Sequence, residues 1–182
     1  MKTALGQKYK VQDLVDEVFY LASKDEQAIG HIDSSGEGRP HSLYFAQIGD
    51  YVKVPKGFGP EYHERAWLEQ EIFETVRSQS YTNLAQRKAC IYIYADKNDS
   101  DNLLRKDPSL HQYEVKLVSG MVSFHDQMWF DIAHQLPKSS PGKYTQQFPI
   151  NCAHSYWKGD LSKKQVIEGL VDGEVEFVKK LN

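Results

Sequence analysis

The chain has 182 residues, 40% hydrophobic and 26% charged, with a formal net charge of -3. Such a length suits one domain, residues 1–182, with a real core, and the composition is that of a soluble globular protein. The slight negative charge argues against a binder that works by general basic attraction to nucleic acid or membrane, while leaving room for a local basic patch.

The two cysteines, Cys90 and Cys152, form no metal or redox spacing and read as two buried thiols of a reducing compartment. The first residues, MKTALGQKYK, lack the apolar core of a signal peptide, and no run suits a membrane span. A cytoplasmic protein without membrane contact is expected. The 11 tyrosines and 3 tryptophans supply flat faces with polar tips, suited to a nucleotide-like ligand as well as to core packing.

In chain order, Val11, Leu14, Val15 and Val18 fall at helical spacing and predict a short helix over 10–18. Phe19 to Ala22 reads as a strand, followed by a loop, GHIDSSGEGRP. Leu43–Ala46 is a second apolar run, and residues 49–55 alternate like an exposed strand before the loop PKGFGPE. Residues 62–79 predict a helix with Leu68, Ile72, Phe73 and Val76 as its buried stripe. Ala89 to Ala95 reads as a strand with Ile91 and Ile93 on one face and Tyr92 and Tyr94 on the other. KNDSDNLLRKDP reads as a polar loop. Tyr113–Leu117 alternates, and Ser119-Gly120 is expected to turn it into a strand over 121–125. Residues 127–135 read as a helix, PKSSPGKY as a loop, and the aromatic segment after Phe148 as a helix stopped at Gly159. Val166–Val171 and the residues from Glu174 on read as two short strands joined by a hairpin at Asp172-Gly173. Short strands among a few helices, without regular βαβ alternation, predict an α+β fold of mainly antiparallel sheet.

No phosphate loop of Rossmann or P-loop spacing is present. His125, Asp126 and His134 make the densest histidine cluster but lack a ligand spacing, so a surface or capping histidine is expected and no metal. No nucleophile-elbow sequence anchors a serine triad, and Cys90 and Cys152 read as structural. Glu168 stands out, a lone charge among Val166, Ile167, Leu170 and Val171. Alternation alone would make it a solvent-facing residue paired with Lys179.

The run from Val166 to Val175, VIEGLVDGEV, resembles the last catalytic strand of ADP-ribosyltransferases, closest to DarT-like and related bacterial or phage branches. Phe19–Ser23 is similar to their first NAD-binding strand, Gly49–Val52 to the segment after it, and Glu71–Arg77 with Leu84–Tyr94 to a cleft wall. Tyr113–Val115 and Ala153–Gly159 also fit, so the resemblance touches most of the chain in the right order through short motifs.

The resemblance implies split antiparallel sheets with flanking helices around an NAD cleft, and a mono-ADP-ribosyltransferase with Glu168 as catalytic carboxylate. Breaking the bond between nicotinamide and ribose builds positive charge on the sugar, which a strand-held carboxylate stabilises. Tyr20, Leu21, Tyr92 and Tyr94 would contact the nicotinamide and ribose, and Arg39 or Arg87 the phosphates. Lys163 and Lys164 would meet a nucleic-acid acceptor. Val166 stands where arginine-modifying members carry Gln or Glu, which favours RNA or DNA over a protein acceptor. A toxin or phage-conflict role would bring an antitoxin or inhibitor protein as partner. First-strand residues Tyr20 and Leu21 replace the histidine or arginine of many members, so a catalytically inactive binding module is the first rival. A small nuclease toxin using His125 or His134 is the second.

Overall fold

A computed structural model of the chain describes residues 3–14, 16–36, 60–134 and 147–182, with the backbone alone for 60–69. Six strands, β1 (Lys8–Lys10), β2 (Phe19–Ser23), β3 (Ile32–Ser34), β4 (Ile91–Tyr94), β5 (His111–Asp126) and β6 (Ile167–Lys180), form one antiparallel sheet in the order β1-β5-β2-β4-β6-β3. Four helices accompany it: α1 (Pro60–Ser80), α2 (Lys97–Lys106), α3 (Met128–His134) and α4 (Gln147–Lys158). The fold is α+β. Among the described residues no helix is long and apolar enough to cross a membrane.

The expected pair of split sheets is instead one sheet, because β5 and β6 also pair with each other along most of their length. Strands β5, β2, β4 and β6 thereby close a ring, with the bridge between Tyr20 and Tyr94 as the junction of β2 and β4. Both sequence-predicted turns in these strands are absent. Asp172-Gly173 and Ser119-Gly120 lie inside continuous strands that cross, Gly120 opposite Gly173. A Cβ on Gly173 would stand 2.0 Å from the Ser119 carbonyl oxygen, and one on Gly120 (φ 94°) 2.2 Å from that of Asp172. The glycines mark a close approach of two backbones, the other common use of glycine within strands.

Two apolar clusters lie on the two faces of this sheet. Inside the ring, Phe19, Leu21, Ile91, Ile93, Phe124 and Val171 pack with Tyr113, Val115 and Phe177. On the outer face, Tyr92 and Leu170 pack against Phe73 and Val76 of α1, Phe130 and Ala133 of α3, and Ala153, Tyr156 and Trp157 of α4. The predicted alternation of β4 holds.

Helices α1, α3 and α4 match their sequence expectations, α4 ending in a Schellman motif: Gly159 (φ 85°) donates to Tyr156 O and Asp160 to Ser155 O. The polar stretch after Ala95 is a helix, α2. Asp96 caps it by accepting from Asn98 N at 2.8 Å, and Lys97 pairs with Asp101 one turn on. The expected helix over 10–18 shrinks to a single 3-10 turn, Val11–Leu14, after strand β1. β3 occupies part of the loop expected after Ala22. The expectations at 43–55, the side chain of Leu68, the loop PKSSPGKY and Arg39 lie outside the described residues.

Candidate functional site

Cross-strand register builds the site. Tyr20, Tyr94, Glu168 and His125 stand opposite one another on β2, β4, β6 and β5, one row across all four strands of the ring. Directly opposed residues share a face, and for this row it is the outer face that α1, α3 and α4 cover. Tyr20 is half-buried at one end; Tyr94, Glu168 and His125 are buried. Glu168, 1% exposed, is therefore neither a solvent-facing residue nor a partner of Lys179, which lies opposite Glu114.

Its partner is Arg87, 3% exposed, in the 3-10 turn (Arg87–Ala89) that leads into β4. Arg87 Nη1 donates to Glu168 Oε1 and to the Tyr156 hydroxyl oxygen. Tyr156 from α4 in turn donates to Glu168 Oε1 at 2.6 Å. Glu168 Oε2 makes no hydrogen bond among the described residues. Arg87 is fixed from behind: its N–H donates to Glu74 Oε1 of α1 at 2.9 Å, and its carbonyl accepts from the Tyr92 hydroxyl at 2.9 Å. The guanidinium carbon lies 4.9–5.1 Å from the ring centroids of Tyr156, Tyr92 and Phe130, within cation–π range. Burial opposes its charge, but Glu168, Tyr156 and Tyr92 hold its pKa well above the ordinary value. Burial pushes the hydroxyls of Tyr92, Tyr94 and Tyr156 well above the usual phenol range, so they stay protonated as donors.

Among the described residues two buried polar groups of this region lack partners: Arg87 Nε and both ends of the Gln70 side-chain amide, one turn before Glu74 on α1.

His125 is a core residue rather than the surface or capping histidine expected. Its Nδ1 lies 3.0 Å from the Tyr156 carbonyl, which can only accept, so Nδ1 carries the proton and Nε2 accepts from Ser123 Oγ at 2.9 Å. The ring stacks on Tyr156 at 4.6 Å. Burial, with the nearby Arg87 charge, lowers its pKa to about 3. Asp126 beside it is a clamp: it caps α3 through Met128 N at 3.0 Å and holds the loop before β6 through Ser162 N (2.7 Å) and Val166 N (3.2 Å). Among the described residues no group of His, Cys, Asp and Glu is arranged to hold a metal.

The structure thus brings Glu168, Arg87, Tyr92 and Tyr94 together, with Tyr20 at the edge of their row. It does not bring Leu21, whose side chain lies inside the ring across the sheet from Glu168. Arg87 faces the carboxylate instead of standing free for a phosphate. Lys163 and Lys164 are exposed on the loop that Asp126 ties down, with no contact to the cluster. Tyr156, which the sequence offers only as part of an aromatic helix, is the member of the cluster that was missed. Its place on a buried stripe with Cys152, Ala153 and Trp157 was the available signal, because a buried tyrosine needs a partner for its hydroxyl.

The molecule is therefore an α+β protein with a buried glutamate–arginine–tyrosine cluster between a closed ring of strands and a layer of helices. The chain belongs to the DUF2441 family, described as proteins of unknown function, whose model matches residues 23–182. No curated protein matches it.

Proposed function

We propose that the chain is an NAD-dependent mono-ADP-ribosyltransferase acting on a macromolecule, nucleic acid in preference to protein, in a toxin or phage-conflict setting. The observation that carries this reading is Glu168 itself. It is a strand-held carboxylate with one oxygen clamped by Arg87 and Tyr156 and the other unpartnered among the described residues, bordered in its row by Tyr94 and Tyr20. In the reaction, the bond between ribose C1′ and the nicotinamide nitrogen breaks with its electrons leaving on nicotinamide. An acceptor oxygen or nitrogen bonds to C1′ and its proton passes to the carboxylate. The unpartnered Oε2 suits that last role; the clamp on Oε1 fixes the group that faces the developing positive charge. Arg87, paired as it is, positions Glu168 rather than gripping a phosphate.

The test is to incubate the purified protein with labelled NAD and separate preparations of RNA, DNA and cell protein. Transfer to one of them, reduced by a hundredfold or more in Glu168→Gln, is expected. Label transfer that is absent, or equal in the variant, overturns the assignment.

A second reading, a non-catalytic binding module, is favoured by the closure of the cluster, since Glu168 is 1% exposed. It is separated by NAD affinity, which such a module would lack. The nuclease alternative has less support: both ring nitrogens of His125 are engaged in the core.

A further inference from the structure

On the same face of the sheet as Glu168, four residues further along β6, Asp172 enters the lining of a cavity of about 340 Å³. Four residues of strand correspond to about 13 Å. The turn that carries Arg87 separates the two: Gln86 and Ala89 line the cavity, while the Arg87 side chain points the other way, into the cluster. The volume lies at the small end of ligand sites, which run from ~300 to ~1,000 Å³.

The cavity's chemistry is mixed in a specific way. Leu84, Ala85, Ala89 and Cys90 supply apolar wall. Thr82, Asn83 and Gln86 supply a hydroxyl and two amides, and among the described residues none of these side chains has a hydrogen-bond partner. Lys8 brings an ammonium without an ion pair among the described residues. Arg77 spends Nε on Glu74 and Nη1 on the Leu84 carbonyl, leaving Nη2. Two amides can read the donor and acceptor edge of a planar heterocycle, and a lysine with the free end of an arginine can meet a phosphate. Asp172 can accept from sugar hydroxyls or an exocyclic amine.

We infer that this cavity binds one nucleoside monophosphate unit. Apolar wall, amide pair and cationic end match the base, its edge and the phosphate. Two sources share that chemistry, the adenosine phosphate half of NAD and a nucleotide of a nucleic-acid acceptor. The link to catalysis rests on the transferase reading above; the binding itself does not.

The experiment titrates the full chain with AMP, NAD and a short single-stranded oligonucleotide by calorimetry, and follows the side-chain amide resonances of Asn83 and Gln86 by NMR. Saturable AMP binding that shifts both amides is expected, weakened tenfold or more in Lys8→Met and in Asn83→Ala. Loss of NAD affinity in these variants with the oligonucleotide unaffected assigns the site to NAD; the converse assigns it to the acceptor. No AMP binding below millimolar concentrations, or binding indifferent to both variants in protein shown to be folded by circular dichroism, overturns the inference. Glu168-dependent transfer with an empty cavity leaves the transferase standing and removes the site. Variant-sensitive AMP binding without transfer does the reverse.

Discussion

At the residue scale the decisive feature is a charge taken out of water together with its partner. A buried ion pair is weak evidence for net stability, because the cost of desolvating both ions rivals their attraction. Breaking it from one side is different. Arg87→Met leaves Glu168 buried and uncompensated and is expected to cost about 3–5 kcal/mol, measured by urea denaturation. Arg87→Met with Glu168→Leu should restore most of that stability. A double variant no better than the single one would show that the Arg87 side chain acts through its packing on the rings of Tyr156, Tyr92 and Phe130 instead. His125 gives a second prediction. Its pKa is about 3 in the folded protein against 6.5 when unperturbed, so the unfolded chain binds the extra proton first. Its contribution is complete above about pH 6.5 and drains as pH falls toward 3, a loss on the order of a few kcal/mol over the whole window. Between pH 6.5 and 5, where few ordinary carboxyl groups titrate, the parent should lose stability faster than His125→Gln. Parallel slopes would contradict the assignment of a neutral, enclosed imidazole.

At the element scale, the strands show where sequence is legible and where it misleads. The alternation Ile91, Tyr92, Ile93, Tyr94 gave the right faces because both faces of β4 are buried by different partners, ring interior on one side and helices on the other. Glu168 was legible as a lone charge among apolar residues, but alternation alone put it in solvent, because the helices that bury its face lie outside the local sequence. The hairpin at Asp172-Gly173 is absent, since Asp-Gly signals a turn only when no neighbouring backbone needs the space. Here Gly173 lies under Ser119 of the crossing strand, and nothing local in the sequence announces a contact 54 residues away. Gly173→Ala places a methyl group against that carbonyl and should cost about 1–3 kcal/mol. Gly120→Ala should do likewise, and because the two share one crossing their double variant should fall short of the sum. Thermal denaturation of the three variants checks this; Gly173→Ala with an unchanged midpoint would mean the strands separate freely there. Helix α2 was missed for the opposite reason. Its cap, Asp96, and its Lys97–Asp101 pair were in plain view, but the density of polar residues outweighed them.

At the scale of the whole molecule, the cluster lies between two bodies of packing, and access to it defines function. Glu168 is reached through the ring from one side or through the helix layer from the other, and the ring interior is filled by Phe19, Ile93, Phe124 and Val171. The helix side is held by α4, whose Tyr156 touches Glu168 and whose Trp157 Nε1 donates to the Phe73 carbonyl of α1 at 2.7 Å. A sugar that reaches Oε2 must therefore displace part of α4 or enter along the row from its half-buried end at Tyr20. If NAD is the substrate, its binding should change amide hydrogen exchange in α4 and in the turn at 87–89 by several-fold, as local opening is redistributed, with distant β3 unchanged as the internal control. In Tyr20→Ala, an approach along the row predicts weaker NAD binding with the α4 response preserved, whereas entry through the helices predicts no change in affinity. Exchange in α4 and in the turn at 87–89 that ignores saturating NAD, together with NAD affinity unchanged in Tyr20→Ala, would close both routes, leave the carboxylate sealed in its ion pair and make the protein the non-catalytic member of the two readings.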